Sequence, residues 1–268
     1  MVRDGRVTVN GVVASMGDRV NPGDVVELDG REVRWEQLAI IVDDHDRDRD
    51  HDSDPNGKQR GNGRGHHSHS QQFRYVKYWK PRGVVCTTDT RDRNNIIDAV
   101  GYPERVFPVG RLDKDSTGLI LLTSDGRLPN SVLRSGHRHD KKYVVEVDRE
   151  VRAEDVQTLR EGVVISTPVQ RDRVNRIVTA RTLPCRVEKV GRRTLEIVLQ
   201  EGRNRQIRRM LDHVGYTVTA LHRVEVMGLN LSGLRRGEWK DCTPAEMDVI
   251  RRCLRASRVA DDEDEDQR

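Results

Sequence analysis

Aromatic residues are scarce in this chain: two Phe, three Trp and five Tyr among 268 residues. So few rings cannot fill a large aromatic core, and each one left in a polar setting calls for an explanation. Cysteine is also sparse. Cys86, Cys185, Cys242 and Cys253 are scattered with no Cys-x-x-Cys pair, which argues against a disulfide framework or a zinc site and for a reducing compartment. No apolar run approaches the ~18 residues of a membrane span, and the N-terminus shows no signal-like apolar region. The absence of a targeting segment points to the cytoplasm, with an organelle as the alternative for a eukaryotic chain lacking its start. Met1 to Arg6 runs straight into a strand pattern, as a chain missing an upstream part would.

What is abundant is charge. Charged residues make up 34% of the chain, and the mean hydropathy is −0.77. That is too polar for one compact globule throughout, so disordered segments are expected. The net charge is only +4, with 48 Lys and Arg against 44 Asp and Glu. The acids, however, are concentrated at 43–54 and 261–266. The remaining parts are distinctly basic, and a basic body with a pI near 9.0 suits a polyanion such as nucleic acid.

The pattern divides the chain into four. Residues 1–42 alternate short β-branched runs with turns. Arg6 to Val9 leads into Asn10-Gly11, Asn21 to Asp24 forms a second turn, and Val25 to Leu28 leads into Asp29-Gly30. Residues 43–72 are low-complexity, rich first in Asp, His and Arg and then in Gly, and read as a disordered linker. Five of the nine histidines lie there without fixed ligand spacing, so no metal site is assigned to them. Residues 73–256 read as globular, and 257–268 as a disordered acidic tail.

In the globular part, strands are predicted at Tyr75 to Trp79, Leu119 to Leu122, Lys141 to Asp148, Val163 to Ile165 and Leu195 to Leu199. Helices are predicted at 95–100, 130–134, 153–160 and 204–214. Ile207, Met210, Leu211 and Val214 form the apolar stripe of the last. Thr243-Pro244-Ala245-Glu246 is a capping box opening a helix with Met247, Ile250 and Leu254 inward. This is an α+β fold: a mixed, mainly antiparallel sheet with flanking helices.

Three features carry chemistry. Asp113 sits on a Gly-bounded loop, Val109-Gly110-Arg111-Leu112-Asp113, just before the apolar strand. Tyr143 heads a strand after two lysines, and Arg203 to Met210 clusters guanidiniums at a helix start. A loop carboxylate can act as covalent nucleophile or proton acceptor, and a guanidinium within ~4 Å keeps it ionised when partly buried. A tyrosine face can hold an extruded base, and arginines can hold phosphates. Read singly, each is ordinary: a surface carboxylate, a core aromatic and a solvated helix face.

Together and in order they resemble the pseudouridine synthases of the RsuA class. The resemblance rests on Lys80-Pro81-Arg82-Gly83, on Phe107 to Asp113, and on Arg203 to Met210. The Lys114-Asp115-Ser116 triplet, Gly136 to Tyr143 and Gly237 to Asp241 are most similar to the RluF type. Gly5 to Gly11 with Pro22-Gly23-Asp24 resembles the end of an S4 RNA-binding domain, without the two helices that usually precede it. The resemblance implies the pseudouridine synthase fold and isomerisation of uridine to pseudouridine in RNA, without metal or other cofactor, by a monomer. Large-subunit ribosomal RNA is the expected partner and transfer RNA a second candidate; a membrane is not. Asp113 would be the catalytic aspartate and Tyr143 would stack on the target base. Arg208, or else Arg203, would pair with the aspartate, and Arg111 would help hold the flipped nucleotide. Attack on the sugar, attack on the base and proton abstraction all remain open to Asp113.

Two other classes share parts of this pattern. Asp113-Lys114-Asp115-Ser116-Thr117 fits the Asp-x-Asp-x-Thr loop of haloacid-dehalogenase phosphatases, but there the apolar strand precedes the loop, and here it follows. A non-catalytic RNA-binding or ribosome-assembly protein would share every basic feature but has no need of Asp113, Tyr143 and Arg208 together.

Overall fold

The computed structural model describes residues 2–15, 20, 23–33, 73–133, 139–171 and 174–265. The linker expected over 43–72 and Gly136 to Arg138 lie outside them. The chain divides into two units, Met1–Gln72 and Phe73–Arg268.

The first unit holds four short strands, β1 (Val7–Val9), β2 (Val12–Val13), β3 (Val26–Leu28) and β4 (Arg31–Glu32), in the antiparallel order β2-β1-β3-β4. Both hairpins use the expected turns. Asn10 and Gly11 have φ of 51° and 78°, and Asp29 and Gly30 have 54° and 72°. Two consecutive positive φ values match the right-handed twist of the flanking strands. Arg6 pairs with Asp29 across β1 and β3.

The second unit is built on a nine-stranded sheet. Its strands are β5 (Tyr75–Lys80), β6 (Phe107–Val109), β7 (Thr117–Thr123), β8 (Lys141–Val147), β11 (Arg186–Gly191), β12 (Thr194–Leu199), β13 (Val218–Val226), β14 (Leu229–Asn230) and β15 (Trp239–Asp241). The main order is β11-β12-β8-β13-β7-β5-β15, with β14 beside β13 and β6 beside β7. Every pairing is antiparallel except β13 with β7. A separate hairpin, β9 (Val164–Arg171) and β10 (Val174–Arg181), makes its own two-stranded sheet. The helices are α1 (Ile96–Val100), α2 (Arg127–Leu133), α3 (Ala153–Glu161), α4 (Gln206–His213) and α5 (Pro244–Glu265).

Strand β7 is buried on both faces, which explains its unbroken apolar run. Leu119 and Leu121 pack with Leu128 and Val132 of α2 and Ile250 and Cys253 of α5. Ile120 and Leu122 point the other way, into a cluster with Val76, Tyr78, Ile96 and Leu112. A third cluster sets Ile207, Met210 and Leu211 of α4 against Val145, Leu195 and Ile197. The predicted stripe of α4 is therefore its buried face. The capping box is also present: the Thr243 amide donates to Glu246 Oε2 (2.9 Å) and the Glu246 amide to Thr243 Oγ1 (3.4 Å).

Helix α5 departs from expectation at its far end. Charge density predicts disorder from 257, yet the backbone is helical to Glu265. Adding a residue to an existing helix costs far less than nucleating one, and Ala256, Ala260 and the glutamates suit a helix.

The Asp125-Gly126 turn after β7 is not a solvated loop. The Asp125 carboxylate is buried. It accepts hydrogen bonds from Tyr75 Oη (2.6 Å) and from Arg127 Nε and Nη2 (both 2.8 Å). Burial alone pushes this carboxyl up, but Arg127 and Tyr75 outweigh it and hold it below its ordinary value. Ionised Asp125 thus stabilises the fold above the unfolded carboxyl value of about 3.9. That contribution is lost as pH falls through the lower folded-state value. We expect Asp125→Asn to lower stability by about 2–3 kcal/mol at neutral pH. Melting curves taken across pH should show the deficit narrowing below about pH 4.

Candidate active site

Asp113 lies on the short loop between β6 and β7, and four contacts fix that loop. The Gly83 amide donates to Lys114 O (2.8 Å), and the Ser116 amide to Asp113 O (3.1 Å). Lys80 is fully buried and its Nζ donates to Ser116 O at 2.8 Å and Pro81 O at 3.1 Å. The Leu112 amide donates to Cys86 Sγ at 3.3 Å. The Lys80 to Gly83 turn, unremarkable by itself in the sequence, is thus a clamp on the aspartate loop. Burial pulls the Lys80 ammonium down, while Cys86, Asp113 and Asp115 act against that pull.

Two guanidiniums from the start of α4 reach the same loop. Arg205 Nη1 is 3.5 Å from Asp113 Oδ2 and 3.4 Å from Asp115 Oδ1. Arg208 Nε is 3.8 Å from Asp113 Oδ2, and Arg208 Nη2 is 3.1 Å from Asp115 Oδ2. Arg208 is the better buried, with 14% of its side chain exposed against 43% for Arg205. Burial pulls the Arg208 guanidinium down and Asp115 pulls it back. For Asp115, burial pushes the carboxyl up, but Arg208, its own backbone amide and Arg205 prevail and keep it below its ordinary value.

Arg203 takes no part in this. Of the two arginines open to pairing with Asp113, it is excluded because its guanidinium is used elsewhere. Its Nε donates to Glu201 (2.9 Å), and its Nη1 and Nη2 to the carbonyls of Ala180 and Arg181. It ties the base of the β9–β10 hairpin to the loop before α4. Arg205 and Asp115 are the residues that sequence reasoning passed over. Arg205 precedes Arg208 by three, a spacing that puts both on one side of a helix start, and this was the available signal.

A cavity of about 590 Å³ opens over the loop, lined by Arg82, Gly83, Cys86, Arg111, Asp113 and Arg205 among others. That volume admits a nucleotide-sized ligand. Arg111 lies exposed on its wall and makes no ion pair among the described residues. Tyr143 is not on the wall. It lies in register with Arg223 of β13, which lies in register with Gly118 of β7. Two strand spacings, about 10 Å, therefore separate Tyr143 from Gly118. Its half-buried ring packs on the cluster that contains Cys86 and Leu112, both at the cavity wall.

The phosphatase alternative needs carboxylates free to take a cation. Here both are covered by arginines, and no group of three or more potential metal ligands occurs among the described residues. The apolar strand β7 also follows the loop, as in the sequence.

The family profile described as RNA pseudouridylate synthase matches residues 74–213, which hold the clamp, the loop and both arginines. The chain belongs to that family. The synthase is 36% identical over 246 residues to the dual-specificity RNA pseudouridine synthase RluF of Escherichia coli K12, covering 92% of this chain and 70% of that one. It is 29% identical to the ribosomal large subunit pseudouridine synthase B of Bacillus subtilis, covering 94% and 87%. A crystal structure of a pseudouridylate synthase superposes with a TM-score of 0.60 at 23% identity, covering 93% of this chain and 90% of that one, and so shares the fold. The synthase is an RsuA-class isomerase of RluF-like type that converts uridine in RNA to pseudouridine.

Proposed function

We propose that the synthase acts on a uridine of large-subunit ribosomal RNA, with Asp113 as its catalytic aspartate. The observation that carries the assignment is the convergence of Arg205 and Arg208 on one loop carboxylate at the wall of a nucleotide-sized cavity. In the reaction the N1–C1′ bond of uridine breaks, the uracil turns, and C5 bonds to C1′. The C5 proton leaves and N1 regains one. The Asp113 carboxylate, with the Arg205 and Arg208 guanidiniums beside it, supplies the nucleophile or base. Arg208 is its resident partner, and Arg111 holds the nucleotide extruded from the RNA. Stacking of Tyr143 on the uracil is part of the proposal although its ring packs behind Cys86 and Leu112 in the free enzyme, and it is tested separately below. One relative is named for the large ribosomal subunit, which supports ribosomal RNA as the first target, with transfer RNA kept as the second candidate. We take the cytoplasm as its compartment; separately, no helix of the described residues is long and apolar enough to cross a membrane.

We take residues 73–256 as the catalytic domain of a monomer, 1–42 as an S4-like RNA-binding segment, and 43–72 as a linker between them. The test is to incubate the full chain with ribosomal and transfer RNA transcripts and map carbodiimide-reactive pseudouridines by primer extension. Stops confined to the large-subunit transcript are expected; stops in transfer RNA alone would move the target.

The stacking role of Tyr143 has its own test. Tyr143→Phe keeps the ring and should retain activity within about threefold. Tyr143→Leu loses base–aromatic stacking of about 1–3 kcal/mol, roughly a 5- to 150-fold loss in kcat/KM. Equal losses in the two variants would remove the stacking role.

A further inference from the structure

Arg205 and Arg208 face the same two carboxylates but are held very differently. Arg208 is nearly enclosed. Besides Asp115, its Nη1 reaches Val218 O (3.4 Å) and its Nη2 reaches Ser116 Oγ (3.5 Å). Among the described residues the Arg205 side chain has only its two carboxylate contacts, at 3.4 and 3.5 Å, and is 43% exposed. Charge-assisted hydrogen bonds normally settle at about 2.7–2.9 Å, so Arg205 is loosely held. Its backbone is unusual as well. Arg205 is the N-cap of α4 with φ 50° and ψ 36°, and no side-chain cap hydrogen bond is made there. A left-handed non-glycine residue is uncommon, and such strain concentrates at functional sites.

The cavity it lines is otherwise set up for an anion. Arg82, Arg111, Lys114 and Arg205 face it against Asp113 and Asp115, four cations to two anions. Arg82, Arg111 and Lys114 make no ion pairs among the described residues.

We propose that Arg205 is a transferable clamp: it spans Asp113 and Asp115 in the free enzyme and moves to a phosphodiester oxygen of the bound RNA. Arg208 stays behind as the fixed partner of the aspartate loop. The strained backbone aims the side chain at the cavity from the helix cap, and its exposure lets the guanidinium rotate outward. When it leaves, Asp113 loses one of two positive neighbours and is freed toward the substrate. This proposal rests on the RNA-modifying reading of the same site and names the group that Arg205 recognises.

The experiment compares the full-length wild type, Arg205→Gln and Arg205→Lys on an in vitro transcript of large-subunit ribosomal RNA carrying C5-tritiated uridine. Tritium release gives kcat and KM, and filter retention gives Kd across a salt series. For Arg205→Gln the loss should fall on KM, by about tenfold, more than on kcat. Its log Kd against log salt should flatten by about 0.7–0.9, the release of one phosphate's counterion. Arg205→Lys, which keeps the charge, should restore the slope. A fall in kcat with KM and slope unchanged means that Arg205 stays on the carboxylates, and overturns the proposal. So does an unchanged slope with unchanged kinetics. The salt slope is read whether or not the transcript is turned over. Absence of tritium release by the wild type therefore counts against the ribosomal target, and an unchanged slope against the clamp.

Discussion

Asp113→Asn is expected to lower pseudouridine formation by ~10³-fold or more while RNA affinity stays within a few fold. The substitution keeps the side-chain volume and one carbonyl oxygen but removes the negative charge that, in the proposed reaction, attacks or accepts a proton. Loss of that charge would ordinarily strand a buried guanidinium at considerable cost. Here Asp115, with its 3.1 Å contact to Arg208, remains as a counter-charge. The variant should therefore fold and bind, so its lost turnover reports on chemistry. The rim cations Arg82, Arg111 and Lys114 are untouched, and in the proposed reading they serve binding rather than the bond exchange. Single-turnover assays beside filter binding separate the two. Retained turnover would remove Asp113 from the mechanism, and a parallel loss of binding would give it a structural role instead.

Gly118→Ala should be the most damaging single methyl group in the catalytic unit. Gly118 has φ +118°, and a Cβ there would lie 2.2 Å from the carbonyl oxygen of Arg223 and 2.6 Å from its nitrogen. Both are backbone atoms of β13, fixed by pairing with β7 and β8. No side-chain rotation relieves the clash, so the one parallel junction of the sheet must open. We expect a loss of about 3 kcal/mol or more, read as a drop in the denaturation midpoint. Because Gly118 lies five residues after Asp113 and in register with the Tyr143 row, activity should fall even in the fraction that folds. A variant with wild-type stability would mean that β13 and β7 are not joined as described.

How legible this was depended on what each residue packs against. Strand β7 could be read because both faces are buried and its run is purely apolar. The stripe of α4 and the capping box of α5 could be read because their spacing is local. Strand β13 left no signal, since it carries His222, Arg223 and Glu225 through the middle of the sheet. Arg223 is buried and its Nε donates to Leu119 O at 2.8 Å, a backbone partner contributed by another strand. Strand β11 is likewise hidden by Arg186, Glu188 and Lys189, and β10 by Asn175, Arg176, Thr179 and Arg181 among its apolar residues. In the site, Asp113, Arg208 and Arg111 come to the cavity or to one another as the motifs imply. Arg203 could not be distinguished from Arg205 by type, because the choice is made by the left-handed turn at 205 and by Glu201 holding Arg203 away. Asp115, to which the sequence assigned no role in the synthase, takes the shortest arginine contact of the four.

The central claim is that this carboxylate loop makes pseudouridine in ribosomal RNA. It is tested most directly by carbodiimide mapping of one large-subunit transcript after treatment with wild type or with Asp113→Asn. The account predicts discrete primer-extension stops at one or a few uridines with the wild type, undiminished by EDTA, and none with the variant. Stops that persist in Asp113→Asn, or a wild type that leaves every uridine of the transcript unmodified, would contradict it.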